Sequence, residues 1–396
     1  MKIAVLHPDL GIGGAERLIV DAALAIKSKG HKLCIFTTHH DPNHCFEETK
    51  NGSLETFVVG DWLPRNIFGK FTAVCAYFRM IYAAFYLTFF SDFHPDMVVC
   101  DIISACIPVF KLKNIKVVFY CHFPDQLLTD RKSWLKYLYR LPLDWLEEKT
   151  TGLADTVLVN SNFTAQVFKK TFSSLRELNI KVIYPTIDVN ALLRPIQDAE
   201  LEIKTKATTI FLSINRYERK KNISLAIDAL GHLKKLMSPD EFKVHLIIAG
   251  GFDERVNENK EYFEELKTHA ELLELQDNVS FLKSPNDNAK RMLFHCCTAV
   301  LYTPSNEHFG IVPIEAMLLG RPVIACNSGG PLETILNEQT GYLCDPTAES
   351  FAEKMALLTR DHSLARELGT IASEHVRRHF AFPIFASKLN SVIDNL

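Results

Sequence analysis

Short apolar runs alternate with amphipathic stretches along nearly the whole chain. In the first half, residues 3–6, 33–37, 97–100, 117–120 and 156–159 have the length and composition of buried strands. Between them, residues 15–29 and 134–151 carry helical spacing, and Asn160-Ser161-Asn162 supplies caps for a helix over 163–171. A charged stretch without a clear period, 188–206, interrupts the pattern. Alternation then resumes. Strands are predicted at 209–214, 244–249, 279–282, 299–302 and 322–325, and helices at 223–236, 260–274, 289–297, 313–319 and 348–359. Strand–helix alternation of this kind predicts parallel, doubly wound sheets. The expected fold is α/β, with two doubly wound parallel-sheet Rossmann-like domains facing a deep cleft. The expected division is a domain over 1–187, a linker over 188–208, a second domain over 209–365, and a helical segment 366–396 packing back toward the first domain.

One run departs from this pattern. Residues 71–91 are apolar at 17 of 21 positions, long enough for a membrane span, but Arg79 lies near the middle. A charge there costs about 2.5–3.5 kcal/mol on insertion scales. A span would also place the Gly11–Gly14 loop and the His122 segment on opposite sides of a membrane, although both point to one site. A buried helix and an interfacial helix resting on a membrane both fit the run.

Composition narrows the classes. With 396 residues and a net charge of −3, the chain lacks the basic footprint of a nucleic-acid binder. Its ten cysteines form no CxxC pair, and they read as buried thiols in a reducing compartment. The first apolar run is too short for a signal peptide. Sequons occur at Asn51, Asn162, Asn222 and Asn278, and a glycan on Asn222 would obstruct its neighbour Lys221. These features favour the cytosol.

The candidate chemistry sits where strands end. Glu307 and Glu315 stand eight positions apart, the first on a loop after a strand and the second in the opening turns of a helix. Such crevices bind ligands in open α/β sheets. A carboxylate there accepts hydrogen bonds from sugar hydroxyls, and a helix N-terminus attracts an anion. Asn306 and His308 flank Glu307, and the stretch Phe309-Gly310-Ile311 opens the helix. Gly11-Ile12-Gly13-Gly14 follows the first strand and allows close backbone approach to a diphosphate. It departs from G-x-G-x-x-G because Glu16 takes the last position, which weighs against a nicotinamide cofactor. Arg216 and Lys221 follow residues 209–214 and can neutralise charge on a leaving phosphate. His122 ends the strand over 117–120, and Gly329-Gly330 offers a further backbone-lined loop.

These motifs together resemble glycosyltransferase family four, of the GT-B architecture. The resemblance covers the whole chain, which closely resembles the animal α-1,3/1,6-mannosyltransferases of dolichol-linked oligosaccharide (N-glycan precursor) assembly. It rests on His7-Pro8-Asp9-Leu10-Gly11, Gly60-Asp61-Trp62-Leu63-Pro64-Arg65, Tyr120-Cys121-His122-Phe123-Pro124-Asp125, the run from Ser213 to Asn222 and that from Tyr302 to Gly310. The resemblance implies a retaining enzyme using GDP-mannose as donor and mannosyl-chitobiosyl-diphosphodolichol as acceptor. An α-1,3 and then an α-1,6 mannose would be added on the cytosolic face of the endoplasmic reticulum membrane. The first domain would face the acceptor and the second would bind the nucleotide sugar. By family position, His122, Glu307, Lys221 and Arg216 would be catalytic. Gly13, Gly14, Arg216, Lys221, Glu307, Phe309, Gly310, Ile311 and Glu315 would bind the donor, with no metal or other cofactor. The membrane surface and other early mannosyltransferases of the pathway would be partners. Asn215 stands where many members carry glycine. Yeast members have extra hydrophobic C-terminal segments not seen here, so membrane contact is expected at 71–91. A transferase using UDP-N-acetylglucosamine, or a non-catalytic sugar-nucleotide binder, would share the same motif chemistry.

Overall fold

The computed structural model describes residues 1–129, 131, 133–196 and 205–396, so the middle of the expected linker lies outside the described residues. The chain forms two compact units, Met1–Thr186 with Phe382–Leu396, and Ile187–Ala381. The first holds strands β1 (Lys2–His7), β2 (Lys32–Thr37), β3 (Thr56–Val58), β4 (Met97–Asp101), β5 (Lys116–Cys121), β6 (Thr156–Val159) and β7 (Ile180–Val182). They make one sheet in the order β3-β2-β1-β4-β5-β6-β7, with all pairs parallel. The central strands β1, β4, β5 and β6 are covered on both faces and so are nearly continuous in apolar residues. The edge strands β3 and β7 are short and only partly covered, which explains their weak trace in the sequence.

The second unit holds β8 (Thr209–Ile214), β9 (Val244–Gly250), β10 (Val279–Lys283), β11 (Ala299–Tyr302), β12 (Val323–Cys326) and β13 (Gly341–Cys344). Their order is β10-β9-β8-β11-β12-β13, again wholly parallel. In each sheet the order reverses beside the first strand, between β1 and β4 in one unit and between β8 and β11 in the other. These reversals open a crevice at the carboxyl ends of the strands.

The helix Thr72–Phe89 resolves the 71–91 run. One side, with Cys75, Tyr77, Met80, Ala83, Ala84 and Leu87, is buried in the first unit. Arg79 lies on that buried side, where its guanidinium donates to the carbonyl of Thr38 and lies 3.4 Å from Asp61. The other side leaves Phe78, Tyr82, Phe85 and Phe89 exposed. The helix is therefore a core helix with an exposed aromatic face.

The C-terminal division differs from that expected over 366–396. The helix His362–His379 stays with the second unit, where Gly369 lets it meet the carbonyl of Gly320. Only the helix Phe382–Asp394 joins the first unit. Phe385, Leu389, Val392 and Ile393 pack there against Leu18, Ala22 and Ile26 of the helix Gly14–Ser28, within one core cluster.

Candidate functional site

In the second unit, three loops meet at the carboxyl ends of β8, β11 and β12. The loop after β8 closes in a single turn, Arg219–Lys221, followed by Asn222 in the left-handed region at φ 47°. Thr303, just past β11, donates its hydroxyl to the Lys221 carbonyl at 2.8 Å. This fixes the lysine so that its Nζ forms an ion pair with Oε2 of Glu307. Both side chains are largely enclosed, with 13% and 21% of their surfaces accessible. The Glu307 backbone is held by the loop after β12. Gly330 donates its N–H to the Glu307 carbonyl at 2.7 Å. Gly329 adopts φ 65°, and a Cβ there would run into the Glu307 backbone. The glycine loop thus acts as a cradle for the glutamate.

Burial opposes ionisation of Glu307, but Lys221 first, then His308 and the Tyr302 hydroxyl, hold its carboxyl below the usual range. Burial, reinforced by the Glu307 charge, pushes the Tyr302 hydroxyl well above its ordinary range. Glu307 is accordingly an anion and Tyr302 a neutral donor. A charge-paired carboxylate that stays partly accessible suits hydroxyl recognition, and a lysine beside it suits a phosphate.

Glu315 lies in the helix Ile311–Leu318, whose N-cap is Gly310. Its carboxylate pairs with Lys290 of the helix Asp287–Cys296, at 2.8 and 2.7 Å to its two oxygens. Sequence reasoning missed Lys290, because nothing local links it to a position twenty-five residues away. Arg216 is exposed and pairs with Glu218 at 3.0 Å, apart from the Lys221–Glu307 pair. Phe309 was expected to bind the donor, but its ring is buried 6.0 Å from that of Phe380, leaving only its backbone for that role. Asn215 is buried, and its backbone runs so close to Gly250 that a Cβ on Gly250 would collide with the Asn215 carbonyl.

The first unit carries a separate constellation. Leu6 pairs with Cys100, and Asp101 pairs with Tyr120, so the register sets the ends of β1, β4 and β5 side by side. His7 and Asp101 end their strands, and His122 follows β5. Asp101 is fully buried, with Oδ2 2.9 Å from Nδ1 of His7 and Oδ1 2.9 Å from Nε2 of His122. Burial opposes the Asp101 charge, yet His122 foremost and His7 next keep its carboxyl below the usual range. Sequence reasoning found His122 and missed its two partners. A polar residue closing each of two adjacent apolar strands was the available signal.

Gly13 is the extended N-cap of the helix Gly14–Ser28, and no side chain caps that helix end. The Glu16 carboxylate lies against Gly13, where an incoming anion would have to displace it.

The profile described as Glycosyltransferase Family 4 matches residues 12–191, and that described as Glycosyl transferases group 1 matches residues 195–375. The human alpha-1,3/1,6-mannosyltransferase ALG2 is 50% identical over 100% of this chain and 96% of its own length. The Dictyostelium discoideum alpha-1,3/1,6-mannosyltransferase ALG2 is 46% identical, covering 100% of this chain and 98% of that one. Among solved structures, sucrose-phosphate synthase from Thermosynechococcus elongatus superposes with a TM-score of 0.77 at 20% identity, over 99% of this chain and 98% of its own. Anabaena HepE in complex with UDP gives a TM-score of 0.72 at 19% identity over 100% of both chains. These structural likenesses establish the two-domain GT-B fold. By sequence along its full length, the chain belongs to the family-four glycosyltransferases and, within them, to the α-1,3/1,6-mannosyltransferases.

Proposed function

We propose that this chain is a retaining mannosyltransferase moving mannose from GDP-mannose to mannosyl-chitobiosyl-diphosphodolichol. It adds an α-1,3 and then an α-1,6 mannose during N-glycan precursor assembly. The observation that carries this reading is the end-to-end likeness to enzymes named alpha-1,3/1,6-mannosyltransferases, in a chain that sets Lys221 and Glu307 at one switch point.

In this reading Lys221 and Arg216 neutralise the donor diphosphate, helped by the backbone of Gly310 and Ile311. Glu315, steadied by Lys290, takes the ribose, and Glu307 takes the transferred sugar. The bond from the sugar anomeric carbon to the β-phosphate oxygen breaks while an acceptor hydroxyl bonds to that carbon from the same face. The hydroxyl proton passes to the leaving phosphate. Charge developing on that phosphate meets fixed cations, worth about 3–4 kcal/mol for a well-placed donor. With these cations supplying neutralisation, the reading assigns no metal.

In this reading the enzyme works on its lipid-borne acceptor at the cytosolic face of the endoplasmic reticulum. An aromatic surface on the first unit supports a membrane contact. Phe78, Phe85 and Phe89 on one helix are exposed, as are Trp134 and Trp145 on another, and Lys113 lies 5.5 Å over the Phe89 ring.

The test mixes purified protein, GDP-mannose and a short-chain mannosyl-chitobiosyl-diphosphate lipid, and follows product mass. Gain of two hexoses is expected. Absence of any hexose gain in the presence of membranes, with GDP still bound, would refute the reading. Turnover with a UDP sugar in place of GDP-mannose would move the chain to another branch of the family.

A further inference from the structure

The first unit contains a buried carboxylate that the reaction described above does not use. We infer that Asp101 is a positioning residue that fixes the ring tautomer of His122, leaving Nδ1 of His122 as a hydrogen-bond acceptor for a substrate hydroxyl, with His7 as the anchor that orients Asp101. This inference rests on the mannosyl-transfer reading for its activity assay.

The accessible surfaces assign the roles. His7 and Asp101 are wholly enclosed, whereas His122 keeps 21% of its side chain accessible, so only His122 can be reached by a substrate. Two further contacts hold it in place. The Tyr120 ring lies 4.8 Å from the imidazole, and Asn160 donates its side-chain N–H to the His122 carbonyl at 3.0 Å.

The proton positions follow from hydrogen-bond capacity. Nδ1 of His7 faces Asp101 at 2.9 Å, while Nε2 of His7 is enclosed with no hydrogen-bond partner among the described residues. A buried N–H without an acceptor is rarer and more costly than a buried acceptor without a donor. A proton on Nδ1 of His7, donated to Oδ2 of Asp101, leaves no enclosed N–H without an acceptor. Oδ1 remains for His122, whose Nε2 is 2.9 Å away. An ionised carboxylate only accepts, so we place the proton on Nε2 of His122, facing Oδ1, and the lone pair on Nδ1. In this structure Nε2 and Oδ1 are 2.9 Å apart but outside hydrogen-bond alignment, so the pair is an ion-pair contact that becomes a hydrogen bond only on a small rotation, as catalytic contacts do when substrate binds. A carboxylate fixing the tautomer of a histidine in this way is a recurrent device, since the partner of one ring nitrogen sets the character of the other.

Asp101→Asn tests the logic because it preserves shape and removes one acceptor. The His7 proton demands the amide oxygen, which turns the amide NH2 toward His122. Nε2 of His122 must then accept, and its proton moves to Nδ1, the wrong nitrogen for the substrate hydroxyl.

The experiment combines tautomer spectroscopy with kinetics. Protein labelled with 15N-histidine is observed by proton–nitrogen correlation at pH 8, with the His122 signal among the fifteen histidines assigned by its loss in His122→Gln. Mannosyl transfer from GDP-mannose is measured for wild type, Asp101→Asn, His122→Gln and the double variant. The expected result is an Nε2–H tautomer of His122 in wild type and an Nδ1–H tautomer in Asp101→Asn. Asp101→Asn should lose on the order of 10²-fold in kcat, with the KM for GDP-mannose changed by no more than about twofold. The double variant should be no slower than His122→Gln, because both changes break one unit. An Nδ1–H tautomer in wild type overturns the inference, as do losses that multiply in the double variant. Should Asp101→Asn fail to fold, the wild-type tautomer still decides. A wild type that transfers no mannose would refute the functional reading and leave the tautomer result to stand or fall alone.

Discussion

Replacing Lys221 by methionine should separate the two roles of its ion pair. The pair with Glu307 is about four-fifths enclosed. Breaking a fully buried pair costs about 3–5 kcal/mol and an exposed one at most about 1, so a loss near 2 kcal/mol is expected here. At roughly 2–4 °C per kcal/mol for a unit of this size, Tm should fall by about 4–8 °C. Activity should fall further. Loss of a fixed donor to charge developing in the transition state corresponds to about 10²–10³ in kcat. Glu307→Gln should produce losses of similar kind. The double variant, Lys221→Met with Glu307→Gln, should recover much of the Tm because no uncompensated charge remains, yet stay as inactive as either single. The pH dependence has a definite sign. The folded carboxyl of Glu307 is held below its usual range, so the pair's stabilisation is present above the unfolded value of about 4.3 and is lost as pH falls through the folded one. The Tm gap between wild type and Lys221→Met should thus be full at pH 7 and shrink in acid. Thermal scans and GDP-mannose turnover on the four proteins provide the test. A folded Lys221→Met retaining more than about a tenth of wild-type kcat would remove the lysine from the chemistry. Simple addition of the two Tm losses in the double variant would show that the pair is not coupled.

Glu147 gives a prediction of opposite sign. Burial pushes its carboxyl up to about 7, against the backbone N–H groups of Asp125 and Gln126 that it accepts. Wild type should lose up to about 3 kcal/mol as pH rises from the unfolded carboxyl value through 7. Glu147→Gln should therefore be the more stable protein at pH 8 and equal to wild type near pH 4; a gap independent of pH in thermal scans would refute this. Gly329→Ala should lower turnover more than tenfold, because a side chain at φ 65° costs about 1–2 kcal/mol and meets the Glu307 backbone. Unchanged kcat in the folded variant would show that the glycine cradle is dispensable. Phe78→Ser with Phe85→Ser should weaken vesicle binding by about 10²-fold, from about 1.5 kcal/mol or more per ring, while turnover of a water-soluble short-chain acceptor persists. Equal vesicle sedimentation of variant and wild type would exclude that face from membrane contact.

Much of the architecture was legible because strands covered on both faces leave continuous apolar runs. Thr156–Val159, Thr209–Ile214 and Ala299–Tyr302 were bounded to the residue for that reason. The strands Thr56–Val58 and Gly341–Cys344 were missed, being three and four residues long at sheet edges. The Glu307 and Lys221 positions were readable as strand-end residues, and the structure brings the two together. Arg216 was read from the same run, yet it faces Glu218 and solvent. Lys290 could not be read locally, and His7 and Asp101 were visible only as polar strand ends, not as a pair. Their partners are fixed by helix packing and by parallel register, which join residues far apart in sequence. Arg79 illustrates the same limit, since a mid-run charge gained meaning only once Thr38 and Asp61 were placed beside it.

The helix Phe382–Asp394 has a consequence for biosynthesis. It completes the core of the unit that begins at Met1, yet it is translated after the whole of the other unit. During elongation, Leu18, Ala22 and Ile26 of the helix Gly14–Ser28 therefore wait with an uncovered apolar side while the second sheet emerges and folds. Nascent domains usually close in order from the N-terminus; here the earliest-made domain closes last. Until the last residues of the chain leave the ribosome, the first unit therefore lacks part of its core.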